Sequence, residues 1–228
     1  MIQCTGNLEA MKVSSFLIHL LLFALLITGS VQSGEAEQLN YLSPLENGVI
    51  QEINMARANP RGYAAFLEEW KWYFDGRLLK IPGERIILTR EGATAVNEAM
   101  NVVRSMNPVS RLSLSKGMSL GARDHVKDQG PSGSIGHTGR DGSQAWDRVN
   151  RYGTWEKSIA ENISYGSDKA RNIVMGLIID DGVSNRGHRK NIFNPDFRVV
   201  GVACGHHGSY GTVCVITFAG GYNERNGK

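Results

Sequence analysis

RVVGVACGHHGSYGTVCVITFA, residues 198–219, is the stretch that decides the fold class. Two apolar, β-branched runs, 198–204 and 212–219, flank a turn over 205–211 that carries Gly205, Gly208 and Gly211. Such a pattern predicts an antiparallel hairpin. In a simple register the paired residue numbers have a constant sum, and 204 with 214, 202 with 216 and 205 with 213 share one. Cys204 and Cys214 then stand opposite each other, where a cross-strand disulfide is geometrically feasible. The adjacent His206 and His207 fall at the hairpin tip, a place expected to be exposed to solvent.

Working outward, Ile159 to Tyr165 sets Ile159, Glu161, Ile163 and Tyr165 against Ala160, Asn162 and Ser164. That period of two predicts a third strand. Between it and the hairpin, Ser167 caps an expected helix to Asp181, with Ala170, Ile173, Val174 and Leu177 as its buried stripe, and 182–194 reads as a loop. Upstream, Ser43-Pro44-Leu45-Glu46 is a capping box with proline at the first helical position. Its helix ends at Asn59-Pro60, and an aromatic amphipathic stretch follows over 62–73. Residues 75–88 read as a loop. Thr89 caps a further helix that ends near Asn107-Pro108. A helix over 115–127 places Met118, Ala122 and His125 on one face. Residues 130–142 hold five glycines and read as another loop. The segment 144–152 predicts a short helix with Trp146 and Val149 inward. Helices first, then strands interleaved with helices, give an α/β (α+β) chain built as a sandwich rather than a wound parallel sheet.

The chain of 228 residues, 41% hydrophobic and 21% charged, suits one domain with appendages. Phe16–Ile27 is nearly all apolar, too short for an ordinary membrane span, preceded by Lys12 and followed by small residues. This is the anatomy of a secretory leader, with cleavage after Ser30 or Ala36; an uncleaved anchor is the competing reading, and Met11 offers an alternative start. The expected division is a signal peptide over 1–36 and a single domain over 37–228. Residues 1–36 contain Lys12, Glu9 and Glu35, so the remainder carries 24 basic and 20 acidic side chains. With no Lys/Arg run, nucleic acid is not an expected partner. Of three cysteines, Cys4 lies in the leader region, leaving Cys204 and Cys214 as one disulfide of an exported protein.

Chemistry-bearing residues are few. His137 and His188 stand beside glycines, in Gly136-His137 and Gly187-His188. Glu161 sits among apolar neighbours on a strand. Asp180-Asp181 ends an apolar helix, where the macrodipole disfavours a carboxylate and something nearby must compensate it. Ser113-Leu114-Ser115-Lys116 matches a penicillin-interacting motif without its companion motifs. Asn162-Ile163-Ser164 matches a glycosylation sequon on a strand.

The segments Gly136-His137-Thr138-Gly139-Arg140-Asp141-Gly142, Ala160-Glu161-Asn162-Ile163 and Gly187-His188-Arg189-Lys190-Asn191-Ile192, followed by Phe197 and Gly201-Val202, resemble the CAP superfamily. This groups cysteine-rich secretory proteins, antigen 5 and pathogenesis-related proteins of class 1. The match is closest to the bacterial-type SCP domain and runs from about Leu45 to Gly220. The resemblance implies a three-layer α-β-α sandwich, secreted or extracytoplasmic. It also implies a cleft with two histidines, here His137 and His188, and two acids, here Glu161 and, one methylene shorter than the family's glutamate, Asp180, with Asp181 as the alternative. His125 and Asn162 would line the same cleft. Two imidazoles and a carboxylate suit zinc or another divalent metal, with Glu161 as general base on a bound water. Three functions follow as expectations. The first is a binding module for a metal or a small, lipid or cell-surface ligand. The second is a zinc-assisted, peptidase-like hydrolase. The third is a structural or interaction module in which these residues form a satisfied polar network.

Overall fold

The computed structural model describes residues 41–225, so the expected leader lies outside the described residues. Its centre is a four-stranded sheet. The hairpin forms as β6 (Val199–His207) and β7 (Gly211–Glu224), antiparallel, and Cys204 pairs with Cys214 in the register read from the sequence. Their disulfide is formed, with Cα atoms 4.1 Å apart. Both strands run further than expected because the turn narrows to residues 208–210. His207 is correspondingly buried rather than exposed: its Nδ1 accepts the backbone N–H groups of Ser209 and Tyr210, and its Nε2 bonds the Ser134 carbonyl. Of the two tip histidines, His206 is the exposed one.

β5 (Gly153–Tyr165) pairs antiparallel with β7 and forms one edge of the sheet. It is thirteen residues long and bends at a register shift between Glu156 and Ile159, where Lys157 takes φ 66°. β4 (Ser113–Leu114) pairs parallel with β6 on the other edge. Ser115 then caps α4 (Lys116–Ser132), accepting from the Met118 N–H, and bonds Glu224, so the Ser-x-x-Lys match is a strand-to-helix junction. The helix outlasts the expected end near Lys127 and stops at Gly133 in the left-handed region.

Alternation along the strands gives the sheet two apolar faces. Ile163, Ala203, Val213 and Val215 meet Ala122 and Val126 of α4. Gly201 allows the close approach: a Cβ there would lie 2.3 Å from the Met118 carbonyl carbon. The alternate positions Val200, Val202, Ile216 and Phe218 are equally buried. On that side of the sheet lie α1 (Pro44–Ala58), α6 (Ala170–Ile179) and α7 (Gly187–Phe193). Behind them pack α2 (Pro60–Trp70) and α3 (Ala93–Ser105). The result is the expected mixed α/β sandwich.

The capping box of α1 is present, and Glu46 also accepts from the Cys204 N–H, tying helix to sheet. Asn59 accepts from the Gly62 N–H and so starts α2 where α1 ends. Arg57 is fully buried and donates to the carbonyls of Ser110, Ile192, Asn194 and Phe197; desolvation brings its pKa down to about 10.

Several loop expectations need correction. Within 75–88 lies a small antiparallel sheet, β1 (Phe74–Asp75), β2 (Leu78–Leu79) and β3 (Ile87–Leu88). Thr89 closes that sheet by donating to the Arg77 carbonyl, and Gly92 caps α3 instead. α7 forms inside the expected loop at 182–194. In α5 (Ala145–Val149), Val149 and Arg148 point inward while Trp146 is exposed. Ser167 precedes the cap of α6, which is Lys169, and accepts from its N–H.

Candidate functional site

Glu161 lies on the α4 side of β5, opposite Thr217 of β7. Its Oε1 bonds His137 Nδ1 at 2.9 Å, and its Oε2 accepts from Arg148 Nη2 at 2.8 Å. The side chains of Arg148 and Glu161 are 2% and 4% exposed, whereas His137 is 52% exposed. The carboxylate is therefore a buried, fully engaged anchor, and the imidazole is the group that meets solvent. Arg148 also donates to the carbonyls of Ser143 and His137, bracing the loop that carries the histidine.

The same loop is held at Gly136, which takes φ 108°. Its carbonyl accepts from His125 Nε2 and Gln129 Nε2, and its N–H donates to the Tyr165 hydroxyl. His125 is thus a buried brace behind His137. Because a carbonyl only accepts, Nε2 carries the proton, and Nδ1 is left without a partner. Burial, foremost, holds the His125 pKa below its ordinary value.

His188 opens α7. Its Nδ1 bonds Asp180 Oδ1 at 2.6 Å, and its backbone N–H donates to Asp180 Oδ2 at 2.9 Å. Asp180 ends α6 in the left-handed conformation, φ 57° and ψ 44°. The compensation that a carboxylate at a helix C-terminus requires comes from these two N–H groups. Asp181 does not join them; it accepts from the N–H groups of Arg90 and Glu91. Asn162 is buried, donates to the His188 carbonyl and accepts from Asn191.

Consecutive residues of a strand reach opposite faces. Glu161 thus secures His137 on one side of β5, and Asn162 secures the His188 backbone on the other. The histidines line different hollows. His137 borders one of about 220 Å³ with Gln144, Trp146 and Ile159. His188 and Asp180 border one of about 580 Å³ with Leu79, Leu88, Tyr165, Leu177 and Ile179. The single cleft expected from sequence is replaced by two separate pairs, His137–Glu161 and His188–Asp180, and the sequence reading omits the braces Arg148, Gln129 and Tyr165. Two of these carry a signal: Gln129 follows His125 by four on one helix face, and Tyr165 shares the parity of Glu161.

Each imidazole has Nδ1 tied to a carboxylate and Nε2 left over, as metal-ligating histidines commonly do. Among the described residues, however, no group of three or more His, Cys, Asp or Glu is placed to hold a metal ion. The donor set falls short of a three-ligand centre, and no chemical step is assigned to a metal.

Fold and motif geometry together define a secreted-type α-β-α domain. The model of the cysteine-rich secretory protein family, CAP, matches residues 98–218, and the chain belongs to that family. One relative is the uncharacterized protein YkwD of Bacillus subtilis (strain 168), 27% identical over 117 residues, which are 51% of this chain and 44% of that protein. The chain thus spans less than half the length of that relative. Among solved structures, an outer surface protein from Borrelia burgdorferi is similar at 15% identity and a TM-score of 0.42, over 51% of this chain and 80% of that one. An extracellular protein containing a SCP domain from Bacillus anthracis str. Ames is similar at 20% identity and a TM-score of 0.40, over 59% and 46%. Membership of a secretory family and the formed disulfide agree with the export read from the sequence. Among the described residues no helix is long and apolar enough to cross a membrane.

Proposed function

We propose that the domain is an exported binding module for a small molecule with an apolar body and a neutral hydrogen-bonding end. The observation that carries this reading is the larger hollow, whose apolar lining closes on the Asp180–His188 pair. Its volume falls in the usual range for ligand sites, which combine apolar walls with a few oriented polar groups. Asp180 accepts the hydrogen bond from His188 Nδ1, which leaves Nε2 as the ring nitrogen to bond a ligand hydroxyl or amide. Glu84, Asp180 and Asp181 line the hollow against one guanidinium, Arg85, and the His188 imidazole, which disfavours an anionic end group.

The test is displacement of a fluorescent naphthylamine dye by long-chain alcohols and by the matching carboxylates. Alcohols should displace it more tightly, and His188→Ala should weaken the alcohol by about tenfold, the worth of one hydrogen bond. No dye binding, or equal displacement by alcohol in both proteins, refutes the reading. A thermal melt with zinc, repeated on His137→Ala and on His188→Ala singly, addresses the metal: stabilisation of the parent that His188→Ala alone loses would give the larger hollow an ion in place of a neutral ligand.

A further inference from the structure

The small sheet β1–β3 breaks the ordinary rule for its class. A solvated antiparallel sheet normally turns apolar residues inward and polar ones outward. Here Leu79 is buried, as expected, but the outer face carries Leu78 directly opposite Leu88, and Leu88 is 67% exposed. Ile86, at 63%, shares the parity of Leu88, whereas Ile87, at 49%, stands opposite Leu79 on the other face; Trp72, at 83%, is on the 3₁₀ turn that leads into the sheet. Contiguous exposed apolar surface of this kind marks an interaction site.

Charge identifies the partner. Residues 71–90 contain Lys71, Arg77, Lys80, Arg85 and Arg90 against Asp75 and Glu84. Both acids are engaged: Asp75 pairs with Lys80 at 2.7 Å, and Glu84 with Lys169 at 3.4 Å. Arg77, Arg85 and Arg90 are exposed and have no carboxylate partner among the described residues. Exposed tryptophan, leucine and isoleucine interleaved with free arginines suit a bilayer interface. There the rings and aliphatic groups enter the headgroup–acyl boundary while the guanidinium groups meet phosphate.

We infer that residues 72–90 dock the domain peripherally on an anionic phospholipid membrane. The docking segment shares Arg85, Ile86, Ile87 and Leu88 with the rim of the larger hollow, but Trp72, Arg77, Leu78 and Arg90 lie outside its lining, so variants at those four test this inference apart from the ligand reading.

The experiment is co-sedimentation of the mature protein with vesicles of phosphatidylcholine alone and of phosphatidylcholine mixed with phosphatidylglycerol, at low and at physiological salt. Binding is expected to the anionic vesicles and to fall with salt. Arg77→Gln/Arg90→Gln should weaken it about thirtyfold, and Trp72→Ala/Leu78→Ser by at least tenfold, with melting temperatures unchanged because all four residues are exposed. His188→Ala should bind vesicles like the parent, so a failed ligand site leaves this result intact. Absence of binding to anionic vesicles at low salt overturns the inference. So does binding that neither double variant weakens, or a dimer in solution that Trp72→Ala/Leu78→Ser dissociates.

Discussion

Asp180 receives two hydrogen bonds from a single residue, His188, one from the imidazole and one from the backbone N–H. The carboxylate can accept both only because α6 ends in a left-handed residue that turns the side chain toward the start of α7. Asparagine tolerates that conformation but offers one acceptor oxygen in place of two. Asp180→Asn is therefore expected to cost about 1–2 kcal/mol in urea unfolding. Asp180→Leu should cost more, since an apolar side chain loses both bonds and adds left-handed strain of about 1–2 kcal/mol. Equal stability of the two variants would show that the pair does not hold the α6–α7 junction.

Arg148 and Glu161 form a second junction, buried on both sides. Removing one partner strands a charge away from water, a loss of roughly 3–5 kcal/mol for Arg148→Met. Arg148→Met/Glu161→Gln should recover a large part of that, because no full charge remains to be desolvated. A double-mutant cycle by chemical denaturation measures the difference. If the double variant is as unstable as the sum of the singles, the guanidinium acts through its carbonyl contacts to Ser143 and His137 instead.

The two junctions also show what a linear reading captures. The hairpin register, the capping box at Ser43 and the break at Asn59-Pro60 are legible because each is set by neighbours in sequence. So are His137, Glu161 and His188, through three motifs in a fixed order. Spacing does not choose between Asp180 and Asp181: the choice depends on a backbone sign, φ 57°, at one residue. Trp146 reads as inward from sequence because α5 is five residues long, and so short a helix has no sustained period to declare its inner face. The outward leucines of β2 and β3 are invisible because strands of two residues show no alternation. The division of the acidic–histidine set between two sides of β5 is a consequence of tertiary packing, which no motif encodes.

The Cys204–Cys214 bond crosses a hairpin that is already closed by its own ladder, with a sequence separation of 10. A loop this short restrains the unfolded chain modestly, so reduction should lower stability by roughly 2–3 kcal/mol and leave the fold intact. Urea midpoints with and without reductant, read by circular dichroism, check this. Loss of the native far-ultraviolet spectrum on reduction in buffer would mean the bond is required for folding itself.

His125 makes the domain sensitive to mild acid. Burial lowers its pKa from 6.5, Arg148 lowers it further, and the Gly136 carbonyl, Glu161 and Asp128 oppose the shift without reversing it. Above pH 6.5 the ring is neutral in both folded and unfolded chains, and its contribution to stability is complete. As the pH falls below 6.5, the unfolded chain binds a proton that the folded chain refuses. Stability then declines until the lower folded pKa is reached and the loss levels off. One proton sets the steepest slope at about 1.4 kcal/mol per pH unit. His125→Gln removes the titrating group, so its unfolding free energy should vary less than the parent's between about pH 6.5 and 5. Equal slopes in parent and variant over that window would show that folding leaves the affinity of His125 for a proton unchanged, contrary to the burial that holds its pKa down.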